Sequence, residues 1–571
     1  MDSTIEAKVN QWLSGNYDAE TKEIIRKMDE NEKVEAFYKD LEFGTGGLRG
    51  IMGVGSNRMN RYTVGTATQG LANYLKQQVK GEIKVVIAHD SRNNSSFFAE
   101  TCAKVFAAND FTVYLFDSLR PTPELSFAIR HLKCHSGVVI TASHNPKEYN
   151  GYKAYWADGG QLVPPHDKAV MAEVSKITNI NEVKFEGGSG KIIKINKEVD
   201  EPYIEMIKSL SISPEAIKAQ HDLKIVYTPI HGTGIVLVPE VLKRMGFTNV
   251  TVVQEQSEPN GNFPTVIYPN PEEAEALSIG LKKCKELDAD ILLGTDPDSD
   301  RVGIAVKNHK GEFVLLNGNQ TAALLFNYIV EVRKQKGLAK PNDFICKTIV
   351  TTDLIDAFAK HHGIQCFSVL TGFKYIAELI REYEGKLNFV CGGEESYGYL
   401  VGDKVRDKDA IASVAIICEM AAYAKNKGMT LFDMLLEIYS KFGYYKEDLV
   451  SLTKKGKSGL EEIKQMMKDL RANPPKKIAG IEVVEIKDYQ NSISTEVSTG
   501  KTTPIKLPKS DVLQFITKDG SRISARPSGT EPKIKFYFGV RADLKNKADF
   551  EQTTEVLNQK IKSIVEDMKL K

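Results

Sequence analysis

Residues 137–155 read GVVITASHNPKEYNGYKAY, and the reading of this stretch decides the architecture of the whole chain. Residues 137–141 form a short β-branched apolar run suited to a buried strand. It stops at Ala142-Ser143-His144-Asn145-Pro146, where every residue is small, polar or ring-locked. Ser143 therefore stands at the carboxyl end of a strand, the edge at which open α/β sheets bind ligands. With His144 beside it and Lys153 ten residues on, it has the surroundings of a nucleophile or phosphate carrier. A serine–asparagine turn that merely closes a strand fits the same local residues, so the rest of the chain must decide.

Outward from this stretch the pattern alternates. Upstream lie a strand VVIAHD from residue 85, a helix over 95–108, a strand TVYLFD, the turn Arg120-Pro-Thr-Pro and a second helix. This predicts right-handed βαβ units in a mostly parallel sheet. A second unit opens with KIVYTPIHGTG after Leu223 and reaches a strand over 290–294, which ends in TDPDSDR, residues 295–301. A third runs from 318 through helices over 319–334, 353–361 and 375–384 and strands over 344–350 and 365–369. Its last strand, 387–390, ends in CGGEESYG, residues 391–398. Three units that each finish a strand with a polar loop suggest diverged repeats of one architecture, although no sequence identity links them.

The ends of the chain differ. Residues 1–40 predict helices, with Ser3 or Thr4 as a cap and Ile5, Val9, Trp12 and Leu13 at helical spacing. FGTGGLRG (43–50) then reads as a glycine-rich loop that lets backbone approach a ligand and aims Arg49 into the site. After helices over 409–425 and 430–441, the basic, turn-rich KKGKS at 454–458 reads as a linker. Short strands and a closing helix over 546–568 follow, predicting a separate α+β domain. The expected fold class is α/β: three similar domains (1–208, 209–315, 316–446) with mixed sheets, plus a C-terminal α+β domain (447–571), around a central cleft.

At 571 residues the chain needs about three to five domains, each with its own core. The 76 basic and 75 acidic residues give net +1 without a block of like charge, which argues against nucleic acid or a membrane surface as partner and favours a small ligand. Seven cysteines without a C-x-x-C pair read as reduced core thiols, and the start MDSTIEAKVNQW lacks the apolar run of a signal peptide. A cytoplasmic protein is expected.

Asp296, Asp298 and Asp300 cannot ionise together at close range without a cation, and a divalent hard metal resolves this. An EF-hand fails on spacing, because its sixth and twelfth positions would be Arg301 and Lys307; Mg²⁺ with open positions for a phosphate oxygen fits better. A solvated acidic turn is the plain alternative. Gly500-Lys-Thr-Thr503 is not a P-loop, since Thr495 stands where its first glycine belongs, and Ser143 is not in a G-x-S-x-G elbow. Glu394 and Glu395, between glycines and Ser396-Tyr397, suit sugar hydroxyls, though they could be a solvated pair. The loop RPSGTEPK (526–533) carries the groups that grip phosphate oxygens. Together these parts point to a phosphosugar enzyme.

FGTGGLRG, TASHNP with YNGYK, TDPDSDR, GEESYG and RPSGTEPK occur in the order found in the α-D-phosphohexomutases, and nearly the whole chain resembles the phosphoglucomutase branch of that family. The resemblance implies four domains, each giving one loop to the cleft. It implies that Ser143 carries a phosphoryl group and that Asp296, Asp298, Asp300 and the Ser143 oxygen hold Mg²⁺. Arg49, Lys153 and His144 would assist catalysis. Glu394, Glu395, Ser396, Lys374 and Arg301 would contact substrate, and Arg526, Ser528, Gly529 and Thr530 its non-reacting phosphate. Glucose 1-phosphate and glucose 6-phosphate would interconvert through a hexose 1,6-bisphosphate, which also acts as activator. Mannose or pentose phosphates, or glucose-1,6-bisphosphate synthesis, are the alternatives, and a Mg²⁺-dependent phosphatase with Asp296 as nucleophile is the rival from another class. A monomer or homodimer that binds a phosphosugar is expected.

Overall fold

The computed structural model describes residues 2–42, 47–454, 456–528 and 533–570, with backbone alone at 456 and 457, and arranges them around four sheets. The first contains β1 (Gly47–Ile51), β2 (Lys84–His89), β3 (Thr112–Phe116), β4 (Ser136–Ile140), β5 (Tyr149–Trp156) and β6 (Lys191–Ile195), in the order β1-β5-β4-β2-β3-β6. The second holds β7 (Ile225–Thr228), β8 (Val250–Val252), β9 (Ile291–Thr295), β10 (Val302–Lys307) and β11 (Phe313–Leu316), in the order β11-β10-β9-β7-β8. The third holds β12 (Asp343–Thr348), β13 (Gln365–Val369), β14 (Asn388–Gly393) and β15 (Tyr399–Val401), in the order β13-β12-β14-β15.

These sheets are mixed, and each switches direction at an equivalent place. β4, β9 and β14 are parallel to β2, β7 and β12, whereas β5, β10 and β15 run back antiparallel to them. A parallel return needs a crossover of a dozen or more residues, so these short connections can only make hairpins. The three hairpin loops are those of Ser143, the aspartates and Glu394. One non-glycine residue in each has left-handed backbone, Ser143 (φ 53°), Ser299 (φ 52°) and Tyr397 (φ 65°), a conformation that costs about 1–3 kcal/mol unless its surroundings impose it.

The fourth sheet is antiparallel: β16 (Tyr444–Thr453), β17 (Lys477–Ile478), β18 (Ile481–Asp488), β19 (Ile493–Glu496), β20 (Thr502–Pro504), β21 (Leu513–Thr517), β22 (Arg522–Pro527) and β23 (Lys533–Ala542). β16 pairs along its whole length with β23, so the sheet begins ahead of residue 447. KKGKS is therefore not a linker between domains: it joins β16 to the helix Gly456–Ala472 of the same domain. Basic, turn-rich composition marks a turn without saying what it separates. The chain enters this domain at Gly443 (φ 99°), just after the helix Leu431–Phe442.

The first helix, Ser3–Ser14, is capped by Asp2, whose carboxylate accepts the Thr4 N–H; Ser3 and Thr4 lie inside it. Three amino-terminal helices close a small aromatic core of Val9, Trp12, Phe37 and Tyr62 over the first sheet. Residues 47–51 of the expected glycine loop are strand β1, paired with β5, and 43–46 lie outside the described residues. One apolar cluster runs from Val139 in β4 through Leu293 in β9 and Ile345 in β12 to Ile523 in β22, so the sheets hold their loops in a fixed relation.

Candidate functional site

The serine loop is held from beneath by one buried cation. Arg92 Nη2 donates to the carbonyls of Ser143 and Asn145, each at 2.5 Å, and Nη1 to those of Pro146 and Tyr149 at 2.9 and 3.2 Å. Asp90 pairs with Arg92 at 3.3 Å and accepts from Thr141 Oγ1 at 2.6 Å, while Thr141 Oγ1 accepts the Ser143 N–H at 2.9 Å. These bonds fix Ser143 in its left-handed conformation and turn its hydroxyl out of the first domain. Ser143 Oγ stands 3.0 Å from Asp296 Oδ2 in the second domain and 3.2 Å from His144 Nδ1.

The aspartate loop rests on the turn after β7. Thr233 N–H donates to the Pro297 carbonyl at 2.8 Å, and a Cβ on Gly232 would fall 2.5 Å from Pro297 Cα, so only glycine permits that approach. Asp296, Asp298 and Asp300 are buried, with one oxygen of each within 4.8 Å of the others. Asp298 Oδ2 accepts from Thr122 Oγ1 and Lys153 Nζ, both at 2.8 Å, and Asp300 Oδ2 lies 3.4 Å from Lys153 Nζ and 3.1 Å from Lys408 Nζ.

Burial and the two neighbouring carboxylates push the Asp296 pKa well above the ordinary value. Burial works the same way on Asp298, but Lys153 overrides it and holds that pKa low. Burial opposes the charge of Lys153, yet Asp298 and Asp300 hold its pKa above the usual lysine value. Asp298 Oδ1 and Asp300 Oδ1 are buried without a hydrogen-bond partner. Three buried carboxylates, two with an unpartnered oxygen and one crowded by like charge, are a donor set that fits a divalent cation.

The other expected residues lie around this centre. Burial, with Arg301 and Arg49 nearby, draws the His144 pKa well below 6.5, so its ring is neutral at physiological pH. Arg49 on β1 reaches Asn145 Oδ1 at 3.4 Å. Arg301 is bonded to Glu272 and lies 3.9 Å from Asp300 Oδ1. Glu394 accepts the Gly372 N–H at 2.8 Å, and Glu395 Oε2 is braced by Thr348 and Thr351 hydroxyls at 3.0 and 3.2 Å. Ser396 is half-buried next to them, and Lys374 lies at the start of the helix Phe373–Tyr383, over the Tyr375 ring. Arg526 reaches the Tyr537 hydroxyl at 3.5 Å, and Ser528 N–H donates to the Lys533 carbonyl at 2.7 Å. Gly529 and Thr530 lie outside the described residues.

The structure thus brings Ser143, His144, Arg49, Lys153 and the aspartates into one cleft, with the glutamate loop adjoining through Lys408 and Arg301. Sequence reading missed Arg92, Thr122 and Lys408. Thr122 sat in a proline-rich turn taken as punctuation. Lys408 lay in the charged run VRDKD, whose one available signal was its place directly before an apolar helix.

The comparisons agree across the chain. Profiles described as phosphoglucomutase/phosphomannomutase alpha/beta/alpha domains I, II and III and the C-terminal domain match residues 40–181, 201–311, 317–442 and 461–555. A phosphoglucomutase of Staphylococcus epidermidis is 37% identical over 539 residues, covering 94% of this chain and 97% of that protein. One from Staphylococcus haemolyticus is 36% identical over 559 residues, covering 97% and 98%. Among solved structures, the open form of the exocytosis-sensitive phosphoprotein parafusin, a phosphoglucomutase of Paramecium, superposes with a TM-score of 0.71 at 19% identity, covering 93% of this chain and 95% of that one. At that identity it supports the fold alone.

Proposed function

From the premise that the chain belongs to the phosphoglucomutase/phosphomannomutase family, we propose that it interconverts glucose 1-phosphate and glucose 6-phosphate, with Ser143 as the phosphoryl carrier and a hexose 1,6-bisphosphate as intermediate and activator. The observation that carries this reading is the 3.0 Å approach of Ser143 Oγ to Asp296 across the boundary between two domains.

The P–O bond to Ser143 breaks as the free hydroxyl of a hexose monophosphate bonds to phosphorus. Arg49 and Lys153, the latter kept protonated by Asp298 and Asp300, assist transfer of the hydroxyl proton and screen the transferring oxygens, while His144 adjoins the Ser143 oxygen. A Mg²⁺ ion held by Asp296, Asp298, Asp300 and the Ser143 oxygen supplies further charge neutralisation when bound. The bisphosphate then turns end for end. Glu394, Glu395 and Ser396 hold sugar hydroxyls in both orientations, and Lys374 and Arg301 assist. Arg526, Ser528, Gly529 and Thr530 hold the phosphate that is not reacting. The Glu-Glu-Ser form of the third loop favours glucose over mannose, with pentose phosphates second. A cytoplasmic enzyme with free cysteines, all but Cys366 buried, working as monomer or homodimer, accords with these features; among the described residues no helix is long and apolar enough to cross a membrane.

Glucose 1-phosphate incubated with the protein, Mg²⁺ and a trace of glucose 1,6-bisphosphate should yield glucose 6-phosphate without inorganic phosphate. Phosphate release in step with substrate loss would instead establish hydrolysis. Turnover of mannose and ribose 1-phosphates in the same assay ranks the sugars.

A further inference from the structure

Arg120-Pro-Thr-Pro123 carries the chain from the turn after β3 into the helix Thr122–His131. Thr122, the first residue of that helix, is fully buried, and its hydroxyl does not cap it: Pro121 takes the cap position, and its carbonyl accepts the Glu124 and Leu125 N–H groups. The hydroxyl leaves the first domain altogether. Thr122 Oγ1 donates to Asp298 Oδ2 at 2.8 Å, and Thr122 N–H donates to the Asp298 carbonyl at 2.9 Å. Any residue except proline would make the second bond, but the first needs a side-chain donor. The turn is held in place by its neighbours. A proline on each side of Thr122 restricts the backbone, and Arg120 grips Asp200 through Nε at 2.8 Å and Nη2 at 3.0 Å. Its Nη1 donates to Ser118 Oγ at 2.7 Å and to the Leu119 carbonyl at 2.8 Å.

The aspartates are not held alike. Asp296 Oδ1 accepts the Asp300 and Arg301 N–H groups of its own loop, at 3.1 and 3.0 Å. Asp298 is held from outside: Thr122 Oγ1 and Lys153 Nζ, both of the first domain, donate to the same oxygen, Oδ2, each at 2.8 Å. Asp298 Oδ1 stays buried and without a hydrogen-bond partner among the described residues. Lys153 divides its attention, since it also lies 3.4 Å from Asp300 Oδ2 and, on the mutase reading, screens the transferring oxygens. The Thr122 hydroxyl carries one proton and gives it to one acceptor.

We propose, resting on the mutase reading above for the second duty of Lys153, that Thr122 is a positioning residue: its hydroxyl occupies Asp298 Oδ2 and so keeps Oδ1 as the oxygen available to a divalent cation. Hydrogen bonds behind the ligands orient a metal site and set its affinity. Here that support comes from another domain, so the cation site of the second domain is completed by a helix of the first.

The test titrates Mn²⁺ into the metal-stripped full chain without substrate, reading free Mn²⁺ by electron paramagnetic resonance, and then measures initial rates against Mg²⁺. Thr122→Val keeps the shape and the N–H but lacks the donor. It should bind Mn²⁺ about tenfold more weakly and need about tenfold more Mg²⁺ for half-maximal rate. KM for glucose 1-phosphate should stay within about twofold, with most of kcat regained at saturating Mg²⁺. Thr122→Ser, which restores the hydroxyl, should bind Mn²⁺ within about threefold of wild type. Wild-type Mn²⁺ affinity in Thr122→Val would overturn the inference even if the melting temperature fell, because a merely structural bond changes stability alone. Equal weakening in the valine and serine variants, or a wild type that binds no Mn²⁺, would overturn it too. Should Thr122→Val fail to fold, Thr122→Ala is set against Thr122→Ser, a pair that differs by one oxygen, and equal Mn²⁺ affinities there sink the idea. The titration contains no sugar, so a wild type that binds Mn²⁺ yet converts no glucose phosphate would defeat the mutase reading while the variants still decide this inference. An active wild type with an indifferent Thr122→Val defeats the inference alone.

Discussion

Ser143 faces the aspartates because the Arg92 guanidinium holds the carbonyls around it, so the two residues work as a pair. Ser143→Ala should keep the fold and lower mutase turnover by roughly a thousandfold or more, read as glucose 6-phosphate formed per enzyme. Asp409 gives a pH prediction. Burial raises its pKa from 3.8 to about 6 in the folded chain, so the folded state holds its proton more tightly than the unfolded chain does. Stability from this group is full below 3.8 and is lost as pH rises through about 6, a difference on the order of 2–3 kcal/mol. Asp409→Asn, which keeps an oxygen for the Ala412 N–H, should therefore melt higher than wild type at pH 8, and the gap should close toward pH 4. Of these residues, Ser143 was legible in sequence because it interrupts an apolar run. Arg92 and Lys408 were not, because a charge read along the chain looks solvated until its tertiary neighbours are known.

The strands ending at the three loops were legible from apolar runs stopped by small and polar residues. Their partners were harder. Whether a chain crosses over or doubles back depends on how many residues lie between strands, and YNGYKAYW, which became β5, carries no clean alternation to mark it as a hairpin arm. The same hairpins explain two glycines. Gly232 lets the turn after β7 touch the aspartate loop, and Gly398 leaves room for Lys408. Gly398→Ala would place a methyl 2.0 Å from Lys408 Cδ, and since the lysine tip is held by Asp300 and Asp407 the stem cannot simply swing away. A fall in kcat of about tenfold or more is expected, without loss of the cooperative melting transition.

At the scale of the molecule, charge ties the first three domains together, one apolar core runs through all four, and the fourth adds a polar dock on the third. Arg522 donates to the Thr351 carbonyl at 2.8 Å and pairs with Asp353 at 2.7 Å, while Gln514 reaches the Ile349 carbonyl at 2.8 Å over an apolar patch that includes Val350 and Tyr537. Arg522→Ala should loosen this dock: charged hydrogen bonds are worth about 1.5–3 kcal/mol, so KM for glucose 1-phosphate should rise about tenfold, with a larger radius of gyration in solution scattering. A separate fourth domain was legible in the sequence but its tether was not, because turn-forming composition is the same whether a turn joins two domains or two elements of one. That tether is Gly443, and the described chain passes it once without returning. The single covalent crossing is reinforced by Arg522 on Asp353, by the Lys547–Glu437 pair and by Lys310 of the second domain on Glu551, so the fourth domain can swing only after those contacts part. Under the mutase proposal, a doubly phosphorylated sugar would reorient behind a door latched by those ion pairs, and its escape would wait on their rupture.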